Sequence, residues 1–124
     1  MSAPAPSRRR GSSLPDEDDC LFCRLYREGD HVNATEGFVA IRDIHPRAPV
    51  HLLVIPERHV ETFKDISAFS SHEAKAMLDF IAETAAHEGL SSYRVAVNCG
   101  PDAGQTVYHL HWHILGGRRL GPEG

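Results

Sequence analysis

The chain has 124 residues, of which 41% are apolar, enough for one hydrophobic core and too short for several domains. Thirteen Lys and Arg against 17 Asp and Glu give a formal charge of −4, which excludes a general polyanion or nucleic-acid binder, and no apolar run reaches the roughly 20 residues of a membrane-spanning helix. Three Cys do not make a disulfide-stapled secreted domain, whereas nine His are an excess to be explained.

Residues 1–19 (MSAPAPSRRRGSSLPDEDD) lack any apolar stretch after Arg8, Arg9 and Arg10, so they are no signal peptide and predict a solvated, disordered tail. The expected organisation is therefore a tail over 1–19 and one domain over 20–124, with a cytoplasmic location. Cys20 to Glu28 predicts a short turn or helix stopped by Gly29. It opens on Cys20-Leu-Phe-Cys23, a pair spaced for zinc or for redox chemistry; a redox pair of the thioredoxin kind needs a βα context that is missing here. Zinc would need two further ligands in a chain rich in His.

Phe38 to Asp43, bounded by Gly37 and Pro46, predicts a strand, and His45-Pro-Arg-Ala-Pro49 a loop, because each Pro removes a donor and restricts its predecessor. His51 to Ile55, ended by Pro56, predicts a buried strand. Ser70 and Glu73 form a capping box that opens a helix to Glu88. Its expected apolar face is Ala74, Met77, Leu78, Ile81, Ala82 and Ala85, and Gly89 ends it. Tyr93 to Val97 and Val107 to Leu115 predict two more strands, with turn chemistry over Gly100–Gly104 between them. Strands around one long helix make an α+β domain.

The last predicted strand reads Val107-Tyr-His-Leu-His-Trp-His-Ile-Leu115. Alternation puts His109, His111 and His113 on one face, about 6 to 7 Å apart, and Tyr108, Leu110, Trp112 and Ile114 on the other, in the core. Three such imidazoles repel as cations, so near neutral pH most are uncharged. Two chemistries stay open. The three can hold a catalytic metal with a coordination site left for water. Alternatively the middle one attacks phosphorus while its neighbours and nearby N–H groups stabilise the oxyanions. Gly100, Gly104, Gln105 and Thr106 suit the second, since glycine allows close approach to a phosphate and Gln and Thr donate hydrogen bonds.

Gly104-Gln-Thr-Val-Tyr-His-Leu-His-Trp-His-Ile-Leu-Gly-Gly117 resembles the signature of the histidine triad (HIT) superfamily, and its lead-in and Leu-Gly-Gly exit resemble the Hint branch. Ile41 to His59 and Arg94 to Gly100 are similar to that branch too, so the resemblance spans Cys20 to Gly117. It implies a five-stranded antiparallel sheet with one long helix and a short N-terminal helix or turn, paired into homodimers across a ten-stranded sheet. It implies hydrolysis of purine nucleoside phosphoramidates and aminoacyl adenylates to AMP through a nucleotidyl-histidine, or, in a related branch, of dinucleoside polyphosphates. A nucleotide-binding regulatory module with little turnover is the non-enzymatic alternative.

By resemblance His111 is the nucleophile, His113 contacts the phosphate or leaving group, and His51 supports both. Asp43 binds ribose hydroxyls, Ile44 packs near the base, and Asn98, Gln105 and Thr106 contact the phosphate or bridging atom. The similar bacterial proteins that carry a C-x-x-C bind a structural zinc, and here its ligands would be Cys20, Cys23, His59 and His109, two thiolates and two imidazoles closing a neutral tetrahedral site. His109 is then committed to that zinc, and the strand itself holds no carboxylate, which disfavours a catalytic metal on the triad. His31, His72 and His87 are expected in solvent, His45 at the nucleotide pocket's rim, and Cys99 as a small packed residue. After Gly117 the chain reads Arg118-Arg-Leu-Gly-Pro-Glu-Gly124, without the aromatic that Hint proteins commonly carry there, a departure that bears on substrate range.

Overall fold

Strand residues of alternating position feed two separate apolar layers, one on each face of a single antiparallel sheet. The computed structural model describes residues 20–122, so the expected tail and Arg8–Arg10 lie outside the described residues. Helix α1 covers Leu21–Glu28, strands β1 to β3 cover Asn33–Thr35, Phe38–Arg42 and Val50–Pro56, helix α2 covers Ser71–His87, and β4 and β5 cover Tyr93–Ala96 and Trp112–Gly116. The order across the sheet is β1-β2-β3-β5-β4, every neighbour antiparallel.

Phe38 and Ala40 of β2, Leu52 and Val54 of β3, and Trp112 and Ile114 of β5 meet Met77, Phe80, Ile81 and Ala85 of α2. Val39, Ile41, Leu53 and Ile55 turn the other way and meet Phe22 of α1, with Leu25 and Tyr26 beside them. Because both faces are covered, β2 and β3 are near-continuous apolar runs instead of half-polar strands. Each fully buried Leu, Ile or Phe in these layers stabilises the fold by about 1.5–3 kcal/mol.

Helix α2 begins and ends where its capping chemistry requires. Ser70 Oγ accepts from the Glu73 N–H at 3.0 Å and Glu73 Oε1 accepts from the Ser70 N–H at 3.1 Å, while Gly89 takes φ 77° after its end. Its buried face is Met77, Phe80, Ile81, Thr84 and Ala85; Leu78 is half exposed and Ala82 faces solvent. The expected face was thus turned by part of a residue step, since Phe80 enters the core in place of Leu78.

Two further differences shape the site. A three-residue strand, β1, pairs with β2 around Gly37 at φ 94°, too short for its Asn-Ala-Thr to show a period. The last strand is shorter than the expected Val107–Leu115, because 107–111 lie outside the ladder. Pro56 has no N–H to offer, and its carbonyl accepts from the His109 ring at 2.8 Å; the Leu110 N–H goes instead to the Val60 carbonyl, 2.8 Å. Leu110, Trp112 and Ile114 are buried as expected, whereas Tyr108 is partly exposed.

Candidate active site and metal centre

The histidines divide into two groups because 107–111 leave the sheet. Helix α1 starts with Cys20 as its N-cap, whose Sγ accepts from the Cys23 N–H at 3.2 Å, so both thiols point to one side. They meet His59, just after β3, and His109. Cys20 Sγ and Cys23 Sγ each lie 3.4 Å from His109 Nδ1, and Cys23 Sγ lies 3.2 Å from His59 Nδ1. All four ligand atoms lie within 4.8 Å of one another. A tetrahedral ion with bonds of about 2.3 Å to sulfur and 2.0–2.1 Å to nitrogen needs S···N edges of roughly 3.5 Å, so the four fit such an ion. His109 also has the correct tautomer, since its Nε2–H donates to the Pro56 carbonyl and leaves a lone pair on Nδ1.

His111 is held differently. Its Nδ1–H donates to the His109 carbonyl at 2.8 Å, so Nε2 carries the lone pair. Phe22 of α1 packs edge-on to its ring at 4.8 Å between centroids. His113 follows on β5 with its ring 5.2 Å from that of His111, closer than the strand rise alone sets, because only His113 belongs to the regular ladder.

A second chain of bonds fixes His113. The Arg47 N–H donates to His51 Nδ1 at 3.1 Å, which puts the His51 proton on Nε2. That proton faces His113 Nδ1 at 2.9 Å and Asp43 Oδ2 at 3.3 Å. His113 Nδ1 is then an acceptor, and its own proton sits on Nε2. His51 and His113 meet because β3 and β5 pair His51 with Leu115, leaving His113 as the diagonal neighbour on the same face. Asp43 is held by the His45 N–H on Oδ1 at 2.8 Å. The carboxylate missing from the strand is therefore supplied by β2's exit loop. Asp43, His51 and His113 come within 4.8 Å of one another, but His51 uses its lone pair on Arg47 and offers a proton inward, so this trio is a hydrogen-bond relay and not a ligand set.

Burial keeps these rings neutral. It pushes His113 down to about 4, helped by the neighbouring His111, His51 and Arg47 and opposed by Asp43. It pushes His109 to about 4 against the pull of its bond to Pro56. His111 and His51 are lowered for the same first reason, each partly restored by Asp43, and His111 also by its bond to the His109 carbonyl.

His111 and His113 open onto a cleft of about 710 Å³. Leu21, Phe22, Leu25, Ile41, Leu53 and Val107 give it an apolar wall, and Asn98, Thr106 and Arg47 line it with the two histidines. Asp43, Ile44 and His45 stand at its edge, Ile44 being 85% exposed. Gln105 does not line it. The Gln105 side chain accepts from the Gly100 N–H at 2.9 Å and donates to the Glu61 and Val107 carbonyls at 2.7 and 3.1 Å, bracing the loop that carries Thr106. Asn98 Nδ2 donates to the Ala103 carbonyl at 2.8 Å, tying the same loop's other limb.

Phe22, Leu25 and Arg47 were not singled out by sequence reasoning. The 1-2-5 apolar spacing of Leu21, Phe22 and Leu25 signals the wall, whereas nothing local marks Arg47. Among the other histidines, His45 is exposed at the rim as expected, and His31 is exposed but bonds the Leu25 carbonyl through Nε2 at 3.1 Å.

A sequence profile of the HIT domain matches residues 27–120. The chain is 37% identical over 110 residues to the purine nucleoside phosphoramidase of Escherichia coli K12, covering 85% of this chain and 92% of that protein. A HIT family hydrolase of Legionella pneumophila superposes with a TM-score of 0.78 at 39% identity, covering 85% of this chain and 99% of that one. A zinc-bound histidine triad protein of Mycobacterium smegmatis superposes with a TM-score of 0.68 at 28% identity, covering 87% and 81%.

Proposed function

The chain belongs to the HIT domain family, and from that premise we propose that it is a nucleotide hydrolase cleaving purine nucleoside phosphoramidates and aminoacyl adenylates to AMP through a nucleotidyl-histidine. The observation that carries this reading is the pair of opposite tautomers on one cleft, a lone pair on His111 Nε2 beside a proton on His113 Nε2.

The apolar wall takes the purine, with Ile44 at its edge, and the Asp43 carboxylate takes the ribose hydroxyls. Thr106 and Asn98 face the phosphate, and Gln105 acts through the loop it braces. The His111 Nε2 lone pair attacks phosphorus. The P–N bond to the amine breaks with its electron pair on the amine nitrogen, which takes the His113 Nε2 proton, and the negative charge this leaves on the His113 ring offsets the positive charge that His111 gains. The His109 carbonyl, bonded to Nδ1–H, steadies the positive charge that His111 gains on becoming a nucleotidyl-imidazolium. Water then attacks phosphorus, its proton goes to His113 Nε2, and His111 leaves as neutral imidazole. The enzyme is restored. A P–N bond is exchanged for another P–N bond of similar energy, so protonation of the departing amine sets the direction.

Cys20, Cys23, His59 and His109 would hold a structural zinc. It clamps the start of α1, and with it Phe22, to the sheet, and takes no part in the reaction. A second copy of the chain would add at the sheet's open edge, β4, where Tyr93 and Val95 are 40% and 42% exposed. Among the described residues no helix is long and apolar enough to cross a membrane.

Turnover of an adenosine phosphoramidate by wild type, His111→Ala and chelator-treated protein tests the proposal. Activity that is lost with His111 and survives mild chelation supports it. Activity that follows metal and ignores His111 rejects it.

A further inference from the structure

We propose that Arg47 is a specificity-determining residue that selects substrates whose leaving group carries its own negative charge, in the first place phosphoramidates of an amine bearing a carboxylate. This rests on the phosphoramidase reading and deepens it by naming the substrate class.

Phe22 lies 4.8 Å from His111 and 6.4 Å from His109, and Leu53 pairs across the sheet with His113, so the apolar wall runs along the histidine row. Arg47 belongs to the His113 end. Its N–H is fixed on His51, which bonds His113, and its side chain lines the cleft with His113. Its charge is felt at His51 and His113 and is not among the influences on His111. The loop is held in place from behind, because Arg118 Nη2 donates to the Arg47 carbonyl at 3.0 Å.

The guanidinium itself has no acidic partner among the described residues. Asp43, the carboxylate in the cleft, already accepts from the His45 N–H and from His51. An unpaired cation beside two rings kept neutral by burial is placed to meet an anion that arrives with the substrate.

Attack from His111 Nε2 expels the leaving group on the opposite side of phosphorus, and His113 Nε2–H must reach the departing nitrogen. The amine therefore lies at His113, and whatever it carries extends toward Arg47. The shared chemistry is an anionic oxygen on the leaving group, either the carboxylate of an amino acid joined through nitrogen or the terminal phosphate of a nucleoside polyphosphate. The carboxylate is favoured because His113 is set to donate a proton, which an amine requires and a phosphate does not.

The test compares the adenosine 5′-phosphoramidates of alanine and of alaninamide, alike except for one charge, together with ADP, on wild type, Arg47→Lys and Arg47→Gln. Wild type should favour the alanine compound in kcat/KM by about fivefold, the size of an exposed ion pair. Arg47→Lys should keep part of that preference and Arg47→Gln should bring the ratio near one. A wild-type ratio near one, a ratio kept in Arg47→Gln, or an equal loss on both amidates overturns the proposal. A larger loss on ADP than on the alanine amidate moves Arg47 to phosphate leaving groups and overturns the carboxylate assignment. If wild type turns over neither amidate, the phosphoramidase reading fails by itself. The ratio of their dissociation constants for His111→Asn, with and without Arg47→Gln, then decides the role of Arg47 without turnover: a preference for alanine that Gln removes upholds it, and none overturns it.

Discussion

Replacing His51 with Leu isolates the relay behind His113. Leu fills nearly the same space but neither accepts from the Arg47 N–H at 3.1 Å nor donates to His113 Nδ1 at 2.9 Å. The His113 nitrogen, buried with its ring, loses its only donor, at a cost of about 1–3 kcal/mol, and the freed Arg47 N–H adds less because its loop reaches water. For a domain of this size, about 2–3 kcal/mol lowers Tm by roughly 10 °C. His113 can then move its proton to Nδ1, leaving a lone pair where the leaving amine needs a proton. The kcat for an adenosine phosphoramidate of an alkylamine should fall about 100-fold, the lower range of general-acid contributions, with KM little changed. The p-nitrophenyl ester of AMP expels a stable anion that needs no proton, so its kcat should fall only a few-fold. Equal losses on both substrates would refute the proton-donor role of His113 and the relay with it.

Four other outcomes follow from the same geometry. Cys23→Ser should bring zinc content near zero by metal analysis and lower Tm, and an unchanged Tm with zinc still bound would contradict the four-ligand site. Because burial holds His113 at about 4 and His111 below its ordinary 6.5, kcat/KM should be flat above pH 6.5 and fall only on the acid side. The unfolded chain binds more protons than the folded one between pH 6.5 and 4, so stability is complete above 6.5 and is lost as pH falls through that window. His113 contributes on the order of 3 kcal/mol, readable from denaturant titrations across pH, and stability that rose on acidification would reverse the sign. Gly117→Ala places a Cβ 3.0 Å from Pro49 Cβ at φ 93°, which should cost about 1–3 kcal/mol; an unchanged denaturation midpoint would show that the β5 exit tolerates a side chain.

The sequence was most informative where one local rule acts alone. The Ser70–Glu73 box placed the start of α2, and the period-two spacing of His111 and His113 marked the cleft. Rules failed where tertiary structure supplied the partner. Side-chain bonding of His109 to Pro56 delayed the start of the last strand to Trp112, and nothing near 107–111 announces that. Phe80 and Leu78 are equally apolar, so only the sheet decides which enters the core. Asp43 and His51 belong together through a loop and a register, not a spacing. The pairing of Cys20 and Cys23 with His59 and His109 came from family resemblance, since ligands 36 and 86 positions from Cys23 leave no trace in local pattern.

The most direct test of the central claim is the intact mass of protein quenched during turnover of an adenosine phosphoramidate, with the adduct mapped by peptide. An acid-labile adenylyl group on His111, absent from His111→Ala and released as AMP at the steady-state rate, is the predicted result. Full turnover without any adduct, or an adduct on another residue, would contradict it.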